Sequence, residues 1–139
     1  MKFFFDSNIL VYLCDSATPK KRDIAETLLE RHLGDQDILI STQVLQEFYV
    51  TVTRKWKHPV APADAANMVF AFADFPMVQI DPMLIQAAIH RSQASKFSFW
   101  DGLIIQAALA GGASVLYSED LHDGQGFDGM KVSNPFKPG

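Results

Sequence analysis

The chain has 139 residues, 48% of them hydrophobic, enough for one covered core and inconsistent with disorder. Its formal charge of −4 argues against holding nucleic acid through bulk positive charge, and one cysteine, Cys14, excludes an intramolecular disulfide or a Cys-rich zinc site. No run approaches the ~20 apolar residues of a membrane span, and the apolar start of MKFFFDSN is too short for a signal-peptide core. The expectation is a cytoplasmic protein with no membrane association, its residues 1–139 forming a single domain.

Phe3 to Phe5 is a short continuous apolar run of the kind buried on both faces of a sheet, and Cys14 sits in a second apolar stretch beginning at Ile9. Asp23 to Leu33 places Ile24, Leu28, Leu29 and Leu33 at helical spacing, with a stop expected at Gly34. Ile38 to Ile40 reads as a second strand. Ser41 or Thr42 then caps a helix carrying Val44, Leu45, Phe48, Val52 and Trp56, which ends before Pro59. Pro62 to Asp74 and Pro82 to Ser95 are helices opened by proline, with a strand at Val78 to Ile80 between them. A helix over Ser98 to Ala110 stops at Gly111-Gly112. Val115 to Tyr117 is a strand, and Lys131 to Ser133 a weaker one. Strands alternating with helices predict a three-layer α/β domain with a mainly parallel sheet.

In such a fold, strand ends and the helix starts that follow them share one edge, where ligands bind. Asp6 follows the first strand, Glu47 lies early in the helix after the second, Asp101 opens its helix, and Glu119, Asp120 and Asp123 follow Val115 to Tyr117. Each has an ordinary structural reading. Asp6 could cap a short helix, and Ser98 to Asp101 fits a capping box. Glu47 could be solvated, and Ser118-Glu119-Asp120 could be a plain turn. Against this, neither Glu47 nor Asp101 has a cationic neighbour three or four residues away. Carboxylates gathered at one edge repel one another unless a cation joins them, and Mg²⁺ or Mn²⁺ suits an all-oxygen set.

These motifs resemble the PIN-domain family, specifically the VapC-like toxins of toxin–antitoxin pairs. The pieces are Phe4-Phe5-Asp6-Ser7-Asn8-Ile9-Leu10, Ser41-Thr42-Gln43-Val44-Leu45-Gln46-Glu47-Phe48, Phe99-Trp100-Asp101-Gly102-Leu103-Ile104, Leu116-Tyr117-Ser118-Glu119-Asp120-Leu121 and Asn134-Pro135-Phe136. Each is short; in order, they span the chain. The resemblance implies a PIN-like α/β/α fold with a central five-stranded parallel sheet and an Mg²⁺- or Mn²⁺-dependent endoribonuclease. It makes Asp6 and Asp101 the principal metal ligands, with Glu47 and Asp120 completing a catalytic acidic set and Ser7 and Asn8 supporting it. Relatives carry Thr-Arg-Asn and a later Asp at the fourth motif, so Asp120 and Asp123 both qualify as the fourth acid, with Asp120 favoured. One or two metal ions fit equally. The resemblance further implies an RNA substrate, a homodimer and a small antitoxin partner.

Arg54, Lys55 and Lys57 around Trp56 could hold RNA backbone while the indole stacks on a base. Equally, cations suit a helix C-terminus and Trp56 continues the apolar face. His32 and His90 read as helix-surface residues, and His122 lies near the fourth motif. An aspartyl-phosphate phosphatase would want an acid where Asn8 stands, and a receiver-like domain an acidic pair where Phe4 and Phe5 precede Asp6. The non-enzymatic alternative is a catalytically silent PIN-like module that binds RNA or a partner.

Overall fold

The computed structural model describes residues 1–56 and 58–137. In chain order its elements are β1 (Phe3–Phe5), α1 (Ser7–Val11), α2 (Pro19–Asp35), β2 (Ile38–Ser41), α3 (Thr42–Val50), α4 (Pro62–Phe72), β3 (Met77–Val78), α5 (Pro82–Ala94), α6 (Phe99–Ala110), β4 (Val115–Tyr117), β5 (Gly126–Phe127) and β6 (Met130–Ser133). A 3₁₀ turn over Tyr12–Cys14 follows α1, and a π-helical turn over Thr51–Lys55 extends α3.

The strands form one sheet in the order β3-β2-β1-β4-β6-β5. All neighbours are parallel except β5 and β6, which pair antiparallel. The sheet therefore has six strands rather than five. The extra one is the short β5, folded onto β6 through Asp128 and Gly129, whose φ values of 49° and 92° are those of a tight hairpin turn.

Helices cover both faces, and the β1–β2 register shows how. Phe3 pairs with Ile38 and Phe4 with Leu39, so neighbouring side chains alternate between faces. Phe3 and Phe5 pack on the His32 ring of α2. Leu39, on the other face, meets the end of α6 so closely that a Cβ on Gly111 would collide with its Cδ2. Gly111 thus serves close packing, while Gly112, at φ 78°, supplies the left-handed residue after the helix. Fully buried Phe4, Phe5, Ile40, Phe48, Ile105 and Leu116 join the helices to the sheet.

Several expectations shift at element ends. Helix α2 begins four residues earlier than Asp23, with Pro19 in its first turn, and runs through Gly34 to a left-handed Gln36. His32 is buried, not on the surface: Nδ1 lies 2.7 Å from Asp37 Oδ1 and Nε2 3.0 Å from the Tyr117 hydroxyl. His90 is exposed as expected. Strand β3 ends before Ile80, because the Ile80 N–H donates to the Thr42 hydroxyl at 3.1 Å. Regular α-helix ends at Val50, not near Trp56; π turns of this kind recur beside functional sites.

Candidate active site

Strand order reverses between β1 and β4, since the chain steps outward from β1 through β2 to β3 and then returns to β4 on the other side. The crevice beyond the carboxyl ends of these two strands is where such sheets bind ligands. Asp6 and Ser118 are the first residues past those ends. The Asp6 N–H donates to the Tyr117 carbonyl at 3.0 Å, fixing one strand end to the other.

Asp6 is 5% exposed. Its Oδ1 accepts from the Ser7 N–H at 2.7 Å, capping α1, and its Oδ2 accepts from the Ser118 hydroxyl at 2.7 Å. Capping and membership of the acidic group are therefore compatible for this residue. The Ser7 hydroxyl lies 3.1 Å from Glu47 Oε1, and Gln43 Nε2 donates to Glu47 Oε2 at 3.3 Å. Gln43 Nε2 also reaches the Trp100 carbonyl at 3.1 Å, tying α3 to the start of α6. Asn8 Nδ2 donates to Asp120 Oδ2 at 3.1 Å, and the Asp120 N–H donates to the Ser118 hydroxyl at 3.2 Å. Asp101 stands in the first turn of α6, its N–H donating to the Ser98 cap at 3.1 Å.

Electrostatics register this convergence. Burial pushes Asp6 up to about 7, with the Ser118 and Ser7 hydrogen bonds opposing and the charges of Glu47 and Asp120 adding to the rise. Glu47 is raised first by burial, against its bonds from Gln43 and Ser7, and further by Asp101 and Asp120. Asp101 is raised by burial and by Asp120, with Ser98 opposing. Four acids, from the turn after β1, from α3, from α6 and from the loop after β4, thus share one electrostatic neighbourhood. Lys21, which reaches this loop, is taken up by Glu119 and the Tyr12 hydroxyl.

Among the described residues, no three His, Cys, Asp or Glu side chains stand as a ready metal-binding group. The donor chemistry nevertheless suits a hard divalent cation: the converging groups are carboxylates, and Gln43 Oε1 beside them is buried without a hydrogen-bond partner. An orphaned carbonyl oxygen next to mutually repelling acids needs a proton donor or a cation.

A cleft of ≈ 450 Å³ opens here, lined by Ser7, Gln43, Glu47, Asp120, Lys55 and Trp100 among others. Asp123 instead accepts from the Asn134 N–H at 2.8 Å, holding the loop after β4 to the end of β6. His122 is exposed. Arg54 and Lys55 are exposed on the π turn, while Trp56 is half-buried against the core; Lys57 lies outside the described residues. Two contributors were not assigned roles from sequence. Gln43 could have been found from its position one helical turn before Glu47. Trp100 carried no signal beyond adjacency to Asp101, because its exposure depends on tertiary packing.

No curated protein is significantly similar in sequence. Solved structures are similar in fold. A toxin–antitoxin complex from Klebsiella pneumoniae matches with TM-score 0.71 at 20% identity, covering 99% of this chain and 100% of that one. VapBC2 from Rickettsia felis, bound to a DNA fragment from its promoter, matches with TM-score 0.69 at 19% identity, covering 96% and 98%. The sarcin–ricin-loop-cleaving toxin VapC20 of Mycobacterium tuberculosis matches with TM-score 0.63 at 19% identity, covering 94% and 99%. The PIN domain family model matches residues 3–122, and the chain belongs to the PIN-domain family.

Proposed function

We propose that the chain is a divalent-metal-dependent endoribonuclease acting as the toxin of a toxin–antitoxin pair. One observation carries the chemistry: Asp6, Glu47, Asp101 and Asp120 converge at the sheet's switch point, where burial and the charges of their neighbours raise the proton affinities of the first three, and among the described residues none of the four has a cationic ion-pair partner. Family membership and the likeness to VapC toxins support RNA as substrate and a small antitoxin as partner.

In this reading Asp6 and Asp101 hold Mg²⁺ or Mn²⁺, with Glu47 and Asp120 completing the set directly or through water. The metal supplies Lewis acidity and a lowered pKa for a bound water, the usual means of phosphodiester hydrolysis. The chain's own residues do the orienting. Ser7 links Asp6 to Glu47, and Ser118 holds Asp6 Oδ2 while fixing the Asp120 backbone. Asn8 restrains Asp120. Asp120 is favoured over Asp123 as the fourth acid, because it lines the cleft and its charge acts on Asp6, Glu47 and Asp101, whereas Asp123 holds the Asn134 backbone. Lys55, exposed on the cleft wall, meets the RNA backbone.

The test is cleavage of structured and tRNA-like RNAs by the unsubstituted protein, Asp6→Asn and Asp101→Asn, with Mg²⁺, Mn²⁺ or EDTA. Activity should require the metal and fall in both variants. Cleavage that survives EDTA, or persists in both variants, sinks the proposal. RNA binding with no turnover under any metal would favour the silent binding module.

A further inference from the structure

Exposed aromatic surface is costly unless something covers it. Trp100 is 61% exposed in the first turn of α6, beside Asp101. Other exposed large apolar side chains, such as Phe70 at 70% and Met83 at 78%, lie outside the acidic cleft. Only Val50 and Trp100, among the described exposed apolar residues, line it. The position of Trp100 is also braced. Its carbonyl accepts from Gln43, which bonds Glu47 as well, and the Phe99 ring meets the indole edge-on at 5.1 Å. A flat, braced π surface therefore stands next to the acids, in a cleft whose ≈ 450 Å³ is a volume suited to a small-molecule-sized group. Trp56, the other tryptophan, packs against the core.

We propose that Trp100 is the stacking surface for an unpaired base of the RNA, while Lys55 in the same cleft engages the adjoining phosphate. The proposal rests on the nuclease reading and sharpens it. A base held face-on against Trp100 cannot at the same time be stacked in a duplex, so the cleft selects a flexible or looped nucleotide beside the scissile phosphate. Stacking is tolerant of base identity, so Trp100 contributes affinity and placement more than sequence choice.

The test uses a Trp56→Phe, Asp101→Asn protein, in which Trp100 is the sole indole and cleavage is impaired. Its fluorescence is titrated in Mg²⁺ with a short single-stranded RNA and with an abasic oligomer of equal length and charge. The base-containing RNA should quench the indole, and the abasic one should bind more weakly without quenching. Affinities of both oligomers are read from the fluorescence anisotropy of a 5′ label, which needs no indole, and by that measure Trp100→Ala should weaken binding of the base-containing RNA roughly 5- to 150-fold. Trp100→Phe should recover most of that loss, which separates stacking from misfolding. Equal binding of the two oligomers, equal binding by Trp100→Ala, or no binding by either would overturn the proposal. The two readings fail separately. If the unsubstituted protein does not cleave yet the indole is quenched, the nuclease assignment falls and stacking stands; cleavage without quenching does the reverse.

Discussion

Ser7 on α1 holds Glu47 on α3: their side chains are 3.1 Å apart although forty residues separate them, and the same hydroxyl lies 3.5 Å from Asp6 Oδ1. A single small side chain therefore spaces two acids that would otherwise repel. Ser7→Ala should leave the fold intact and reduce metal affinity or cleavage roughly 10- to 100-fold, the usual effect of losing a group that orients a ligand. Ser7→Thr, which keeps the hydroxyl, should retain more. Metal titration and steady-state cleavage check both, and an Ala variant as active as the parent removes Ser7 from the site.

Asp6 gives a signed pH dependence. Its carboxyl is raised from 3.8 to about 7 in the fold, chiefly by burial. The folded state then binds the proton more tightly than the unfolded state, so metal-free stability should fall as pH rises from about 4 to about 7 and level off above. The shift corresponds to on the order of 4 kcal/mol. Asp6→Asn should flatten that slope and melt higher than the parent at pH 8 without metal. Thermal melts in EDTA across this range test it, and parallel slopes for the two proteins would contradict it.

Ser118 works against that burial by donating to Asp6 Oδ2 at 2.7 Å. Removing the donor in Ser118→Ala should raise the Asp6 proton affinity further. The acid limb of the cleavage profile should move toward higher pH by roughly one unit, with the plateau also reduced because Asp120 loses a backbone restraint. An unmoved limb would show that Asp6 ionisation does not govern the reaction.

Glu119 is bonded by the Tyr12 hydroxyl at 2.6 Å and by Lys21, whose ammonium also lies over the Tyr12 and Phe136 rings. The pair is partly exposed, so Lys21→Ala should cost at most about 1 kcal/mol in stability. Its larger effect should fall on the neighbouring Asp120. The expected signature is weaker metal binding with little change in melting temperature, measured by calorimetry on both proteins.

His32 carries the opposite signature. Buried and bonded to Asp37 and Tyr117, it is structural. His32→Ala should destabilise by roughly 2–4 kcal/mol through unpaired partners and a cavity, with the folded fraction cleaving normally. Urea melts and activity per folded molecule distinguish this from a catalytic role.

Strand Val115–Tyr117 and the Ser98 cap were legible because local rules decide them, a buried apolar run and a hydroxyl before a helix, while between Ser41 and Thr42 only the fold selects Ser41 as the cap. The acids could be placed at one edge because parallel topology sends strand ends there. Strand β5 was missed although Asp128-Gly129 between Phe127 and Met130 carries a hairpin signal, since two residues are too few for periodicity to register. The burial of His32 and the exposure of Trp100 were not legible. Both depend on which side of a helix the sheet covers, and the local pattern around them does not specify that.

Equilibrium Mn²⁺ binding, followed by the electron paramagnetic resonance of the free ion, tests the central claim most directly. The unsubstituted protein should bind Mn²⁺, more tightly at pH 8 than at pH 6 as the proton on Asp6 ceases to compete. Asp6→Asn and Asp101→Asn should bind it far more weakly while remaining folded. Mn²⁺ binding unaltered by both substitutions, or none in the parent at pH 8, would contradict a metal centre at this edge.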